Sequence, residues 1–173
     1  ITNAIVIASP NVEDSITIPG TIAPPNSATY TVASIDDSAF EDIHLLTGLA
    51  FDTFSTVIAI GEDAFKDTGL ITVHLPNSVT TIGDGAFNYN ASLTELTFGT
   101  GVISIGFQSF RAAGGLQDIF LPDSITTIGA QAFTECHTMS SIRISDGVTT
   151  IEDKTFYDCK DLATISDGSN VTT

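Results

Sequence analysis

A small residue followed by phenylalanine recurs six times along this chain, at Ala39-Phe40, Ala64-Phe65, Ala86-Phe87, Ser109-Phe110, Ala132-Phe133 and Thr155-Phe156. Successive phenylalanines are 25, 22, 23, 23 and 23 residues apart. An isoleucine stands five positions before each one: Ile35, Ile60, Ile82, Ile105, Ile128 and Ile151. Another aliphatic stands three positions earlier: Val32, Val57, Val79, Val102, Ile125 and Val148. Downstream come three apolar residues at fixed offsets: Leu70/Val73/Leu75, Leu93/Leu96/Phe98, Leu116/Ile119/Leu121 and Met139/Ile142/Ile144. A unit of ~23 residues cannot bury its own apolar face, whereas stacked units share one continuous core, so the pattern points to a solenoid.

The aliphatic-x-aliphatic step (Val73-x-Leu75, Ile119-x-Leu121) has period two, which puts both side chains on one face of a short strand. The proline that follows (Pro76, Pro122) ends the strand, because it has no N–H to give to a ladder. From the glycine through the phenylalanine to the next large apolar residue, as in Gly129 to Met139, there is room for one or two helical turns. Equivalent strands are expected to align in parallel at ~4.8 Å per coil, in six or seven coils. The Phe, Ile and Leu columns then become ladders inside the rod.

The unit I-G-x-x-A-F-x-x-C-x-x-L-x-x-I-x-L-P-x-S-V-T-x, read most fully in Ile128 to Thr150, resembles the leucine-rich repeat of the BspA-like, or treponemal, type. The resemblance runs from Ile16 to the end of the chain. It implies a right-handed leucine-rich-repeat solenoid with short parallel strands in each ~23-residue coil and short helical or irregular convex segments. It also implies a bacterial or protist surface protein, many of this family being adhesins. On this reading residues 1–34 form an N-terminal cap and a degenerate first coil with an insertion at Ala23 to Ala28, and 35–173 are tandem repeats. The closing Val171-Thr172-Thr173 aligns with Val148-Thr149-Thr150, which reads as a piece of a longer array or an open end covered by a partner.

Composition removes several functions. Five Lys plus Arg against twenty-one Asp plus Glu give a net charge of −16 over 173 residues, so there is no basic stripe for nucleic acid and no attraction to an anionic membrane surface. The apolar run Ala4 to Ala8 is too short to span a bilayer, and no membrane insertion is expected. With 42% hydrophobic and 15% charged residues the chain can build a core. Its acidity and scarcity of lysine suit an extracellular or cell-surface protein. Two N-x-S/T triplets occur, at Asn90 and Asn170.

Candidate chemistry is sparse. Cys136 and Cys159 share one repeat position and read as small buried hydrophobes or, with some distortion, as a bridge. His44, His74 and His137 fall at three different repeat phases, so they do not converge on a metal. The acidic residues near the Ile-Gly step (Asp36-Asp37, Glu62-Asp63, Asp84, Glu152-Asp153) are interrupted at Phe107-Gln108 and Ala130-Gln131. They read as a solvated edge with carboxylates at helix N-termini, not as a calcium site. The hydroxyl pairs Thr80-Thr81, Thr126-Thr127 and Thr149-Thr150 read as an exposed threonine ladder. There is no nucleophile elbow, phosphate loop or cofactor motif, so no catalysis and no cofactor are expected.

The expected binding surface is the concave strand face. Residues flanking the buried aliphatics point outward: Thr72 and His74, Glu95 and Thr97, Asp118 and Phe120, Ser141 and Arg143. The buried columns hold constant while this surface changes from coil to coil. Phe120 and Arg143, in consecutive coils, form its predicted anchor. The expected function is recognition of a protein or cell-surface ligand, such as adhesion. The alternatives are a structural spacer in a longer surface protein or an accessory region of a secreted glycan-active enzyme.

Overall fold

A computed structural model describes residues 3–6, 14–22 and 29–166. The Ala23–Ala28 insertion, the Asn170 triplet and the closing Val171–Thr173 lie outside the described residues. The chain winds into a parallel β-solenoid of about six turns, with three sides to each coil.

On the first side, β1 (Asn3–Val6), β4 (Tyr30–Ile35), β6 (Ala59–Ile60), β8 (Thr81–Ile82), β10 (Ser104–Ile105) and β12 (Thr127–Ile128) pair in that order, all parallel. The short β3 (Thr21–Ile22) joins β4 antiparallel. Register follows the repeat, with Ile60 opposite Ile82 and Ile105 opposite Ile128. Glycine after each isoleucine lets the coils meet: a Cβ at Gly106 would lie 2.6 Å from the Gly83 carbonyl carbon, and one at Gly129 would lie 2.6 Å from the Phe107 nitrogen. Glu152 takes this position one coil further on, and β12 has no strand beyond it.

On the second side, β2 (Asp14–Ile18), β5 (Leu46–Phe51), β7 (Thr72–His74) and β9 (Glu95–Thr97) form one parallel sheet. A separate sheet of β11 (Asp118–Phe120), β13 (Ser141–Arg143) and β14 (Thr164–Ser166) continues the same face. Strands β7, β9 and β11 each bury their central aliphatic and expose at least one flanking residue, the alternation that period two demands.

The third side corrects the expected helical turns: no helix forms among the described residues. Residues two before and two after each phenylalanine adopt positive φ, as at Gln108 (51°) and Ala112 (55°) or Gln131 (59°) and Glu135 (62°). A left-handed residue every four positions cannot sit in a right-handed helix. Backbone amides instead alternate between two partners. Arg111 N donates within its turn to Gln108 O at 3.1 Å, while Phe110 N donates to Ala132 O of the next coil at 2.9 Å. The coils are thus hydrogen-bonded on this side too, which a helix closing its own bonds would not permit.

The phenylalanines fill the interior. Phe40, Phe65, Phe87, Phe110, Phe133 and Phe156 stack in one column with centroids 5.1, 5.3, 5.3, 5.5 and 6.0 Å apart and near-parallel rings. Phe65, Phe87, Phe110 and Phe133 are wholly buried, together with the Ile60/Ile82/Ile105/Ile128 and Val57/Val79/Val102/Ile125 columns.

Candidate functional site

Eight side chains from the four middle strands of the second side make up the candidate surface. His74, Glu95, Thr97, Asp118 and Phe120 are exposed, while Thr72, Ser141 and Arg143 are half-buried. Neighbouring coils couple in pairs. The His74 ring Nδ1 and Thr97 Oγ1 are 2.8 Å apart, and His74 Nε2 stands 3.9 Å from Glu95 Oε1. Asp118 Oδ1 accepts hydrogen bonds from Ser140 Oγ (2.8 Å) and Ser141 Oγ (2.6 Å), which hold its carboxyl below the usual aspartate range.

Phe120 and Arg143 are register partners on β11 and β13. The guanidinium carbon lies 4.7 Å from the ring centroid, a cation–π pair. Arg143 Nη2 also donates to Asp123 Oδ1 at 2.9 Å and Nη1 to Leu121 O at 3.2 Å, so the arginine is held flat against a ring that remains 64% exposed. An exposed aromatic backed by an ordered arginine is the residue pairing in which interface energy concentrates.

Beside this pair the strand ladder lapses. Strands β9 and β11 belong to different sheets, and between them opens a cleft of about 300 Å³ lined by Thr94, Glu95, Leu96, Thr97, Phe98, Asp118 and Phe120. Phe98 stands in the column otherwise filled by Leu75, Leu121 and Ile144. Those aliphatics are buried, whereas Phe98 is only half-buried and meets Phe110 edge to face (centroids 5.7 Å, 82°). A ring is wider than the aliphatics it replaces, and it accounts for the parting of the two coils. The cleft is absent from the expectations drawn above. Its signal in the sequence is that one aromatic in an aliphatic column.

Two other hollows flank the coils. One, of about 460 Å³, lies where β5 runs on past its pairing with β7 and is lined by residues from Leu49 to Thr53 and from His74 to Asn77. Its origin is legible in the 25-residue spacing between Phe40 and Phe65, which places extra residues around the exposed Phe54. The other, about 440 Å³, lies on the turn side among Gln108, Arg111, Gln131, Thr134, Glu135, Lys154 and Tyr157. Its polar groups largely satisfy one another: Arg111 Nη2 donates to both Glu135 oxygens (2.9 and 3.0 Å), and Gln108 Nε2 donates to Gln131 Oε1 (2.8 Å).

The remaining candidates have structural roles. Asp37 Oδ1 accepts from Glu62 N at 2.8 Å, and Asp84 Oδ1 accepts from Phe107 N at 2.7 Å. The carboxylates expected at helix N-termini therefore cap amides of the next coil instead. Both cysteines are free thiols. Cys136 Sγ donates to Phe110 O (3.2 Å) and Cys159 Sγ to Phe133 O (3.0 Å), the same bond that Asn90 Nδ2 makes to Phe65 O (2.7 Å). Their repeat position supplies a donor to the buried phenylalanine carbonyl of the preceding coil, a need that neither the hydrophobe nor the bridge reading anticipated. Burial pushes both thiols up, which keeps them protonated and able to donate. The three histidines are well separated, and among the described residues no three His, Cys, Asp or Glu side chains stand together as a metal set. No helix among them is long and apolar enough to cross a membrane.

The family model for the BspA-type leucine-rich repeat region matches this chain over residues 26–113 and 58–173. Among solved structures, a leucine-rich repeat protein of T. pallidum shares 26% identity over 95% of this chain and 74% of its own, with a TM-score of 0.87. The pneumococcal vaccine antigen PcpA shares 17% identity over 96% of this chain and 64% of its own, with a TM-score of 0.64. A leucine-rich cell surface protein from Faecalibacterium prausnitzii A2-165 shares 20% over 89% and 59%, with a TM-score of 0.52. The last two carry the fold alone, and this chain spans less than two thirds of each. No curated protein matches it significantly.

Proposed function

This chain belongs to the family of BspA-type leucine-rich repeat proteins, and from that premise we propose that it is a non-catalytic recognition module. It acts at the cell surface or outside the cell and binds a protein or cell-surface ligand through the face of β7, β9, β11 and β13. The observation that carries this reading is Phe120: a large ring, 64% exposed, held against Arg143 on a face otherwise made of hydroxyls and carboxylates. A spacer has no use for an ordered aromatic there, and leaving it in water forgoes its burial. Solenoids present such faces as extended recognition surfaces. The description of the F. prausnitzii relative as a cell surface protein supports the compartment.

The test is binding to a panel of immobilised extracellular-matrix proteins. Phe120→Ala with Arg143→Ala is expected to weaken any interaction about thirtyfold or more, the ~2 kcal/mol of a hot-spot residue. The control is Glu62→Ala with Glu152→Ala, two exposed carboxylates on the opposite edge. Asp63 is unsuitable as a control because it bonds Lys66 at 3.0 Å and sits at φ 52°. Binding that survives the aromatic–arginine pair and fails with the edge pair would overturn the assignment of the face.

A further inference from the structure

The cleft between β9 and β11 has walls of opposite character on a scale of one side chain. Glu95 projects from β9 and Asp118 from β11, both exposed and at the same repeat position. Phe98 and Phe120 supply the apolar surface. We propose that this cleft takes up a lysine or arginine side chain of the protein partner, its charged end between Glu95 and Asp118 and its aliphatic stem along the two rings. The proposal rests on the reading of this face as the recognition surface and names the chemistry it selects.

Four observations converge on a cation. Neither carboxylate is consumed within the chain. Asp118 Oδ1 is held by Ser140 and Ser141, while Oδ2 accepts no hydrogen bond from the described residues, and Glu95 has only His74 at 3.9 Å. Phe120 already shows the contact in miniature, because Arg143 lies against it at 4.7 Å while the ring also lines the cleft. The net charge of −16 draws basic partners toward the whole surface. At about 300 Å³ the cleft has room for one long side chain and its water, not for a segment of backbone. An anion would meet two like charges. A purely apolar side chain would strip water from both carboxylates without replacing it. A calcium ion needs six or more oxygens, and half of this wall is carbon.

The probe is an uncharged glycine–serine peptide with one central lysine, followed by amide NMR of the whole chain. Its twins carry arginine or norleucine, the last matching the stem of lysine without its charge. Saturable shifts are expected at Leu96, Thr97 and Phe120 with the lysine and arginine peptides, and at least about tenfold weaker binding with norleucine. Glu95→Gln with Asp118→Asn should weaken the lysine peptide by a similar factor. Glu62→Gln with Glu152→Gln, which removes the same charge elsewhere, should change it less than about twofold at physiological salt. Phe98→Leu, which leaves both carboxylates in place, should weaken it by narrowing the cleft. Equal losses in the two charge pairs would reduce the effect to net charge and overturn the proposal, as would equal binding of norleucine or binding lost on adding a calcium chelator. If a matrix protein is lost with Phe120→Ala and Arg143→Ala but retained by Glu95→Gln with Asp118→Asn, the recognition face stands and the cleft proposal falls.

Discussion

Each coil contributes to two ladders that share one chain, one spacing and one core, yet they differ in continuity. The ladder of β4, β6, β8, β10 and β12 runs unbroken, while the one on the opposite strand side stops at β9 and resumes at β11. The first is built from Ile-Gly steps, where nothing larger than a hydrogen separates neighbouring backbones. The second depends on the column Leu75, Phe98, Leu121, Ile144, in which one member is a ring. Continuity therefore depends on the bulkiest residue in a column, not on its average. The side that tolerates variation is also the side on which recognition is proposed.

The largest expected effect breaks both ladders at once. Phe110 stacks on Phe87 and Phe133, meets Phe98 edge-on and has no exposed surface. Phe110→Ala should cost about 3–5 kcal/mol in urea unfolding, and a loss under about 1 kcal/mol would contradict its place in the core. Next comes the uninterrupted ladder alone. Gly106→Ala puts a methyl 2.6 Å from the Gly83 backbone, and backbone cannot step aside as a side chain can. A loss of about 1–3 kcal/mol is expected, with faster hydrogen exchange at Ile105 and Ile128; unchanged exchange there would mean that glycine is not what keeps this ladder closed.

The smallest effect sharpens the comparison from the other direction. Phe98→Leu restores the aliphatic column. It forfeits an edge-to-face contact of about 0.5–1.5 kcal/mol and allows ladder hydrogen bonds of about 0.5–1.5 kcal/mol each between β9 and β11. Net stability should move by less than about 1 kcal/mol, while amide protection at Leu96 and Ile119 rises. Unaltered protection would place the cause of the interruption elsewhere than in Phe98.

Much of this was readable from residues alone, because a repeat multiplies weak signals. One isoleucine five places before one phenylalanine means little, whereas six in phase define a column, and a column must be buried somewhere. The outward orientation of Phe120 and Arg143 and their adjacency followed from alternation within a strand and register between strands. The turn side resisted the same reasoning. The small-Phe segment has the length and composition of a helical turn, and nothing in its residue types announces that Gln108, Ala112, Gln131 and Glu135 take positive φ. That choice is made by the next coil, whose carbonyls compete for every second amide. The role of Cys136 was hidden likewise, since the carbonyl it serves belongs to Phe110 in another turn.

By itself the sequence determined which residues are interior, how many coils they make and which side chains the strands turn outward. These follow from periodicity, which is a local property repeated along the chain. Only the tertiary structure decided where neighbouring coils touch and where they part. The meeting of Phe98 with Phe110, and the cleft that opens beside it, depend on how a side chain from one turn fits the space left by those above and below. That fit is a matter of volume among residues some twenty positions apart, to which no single stretch of sequence has access.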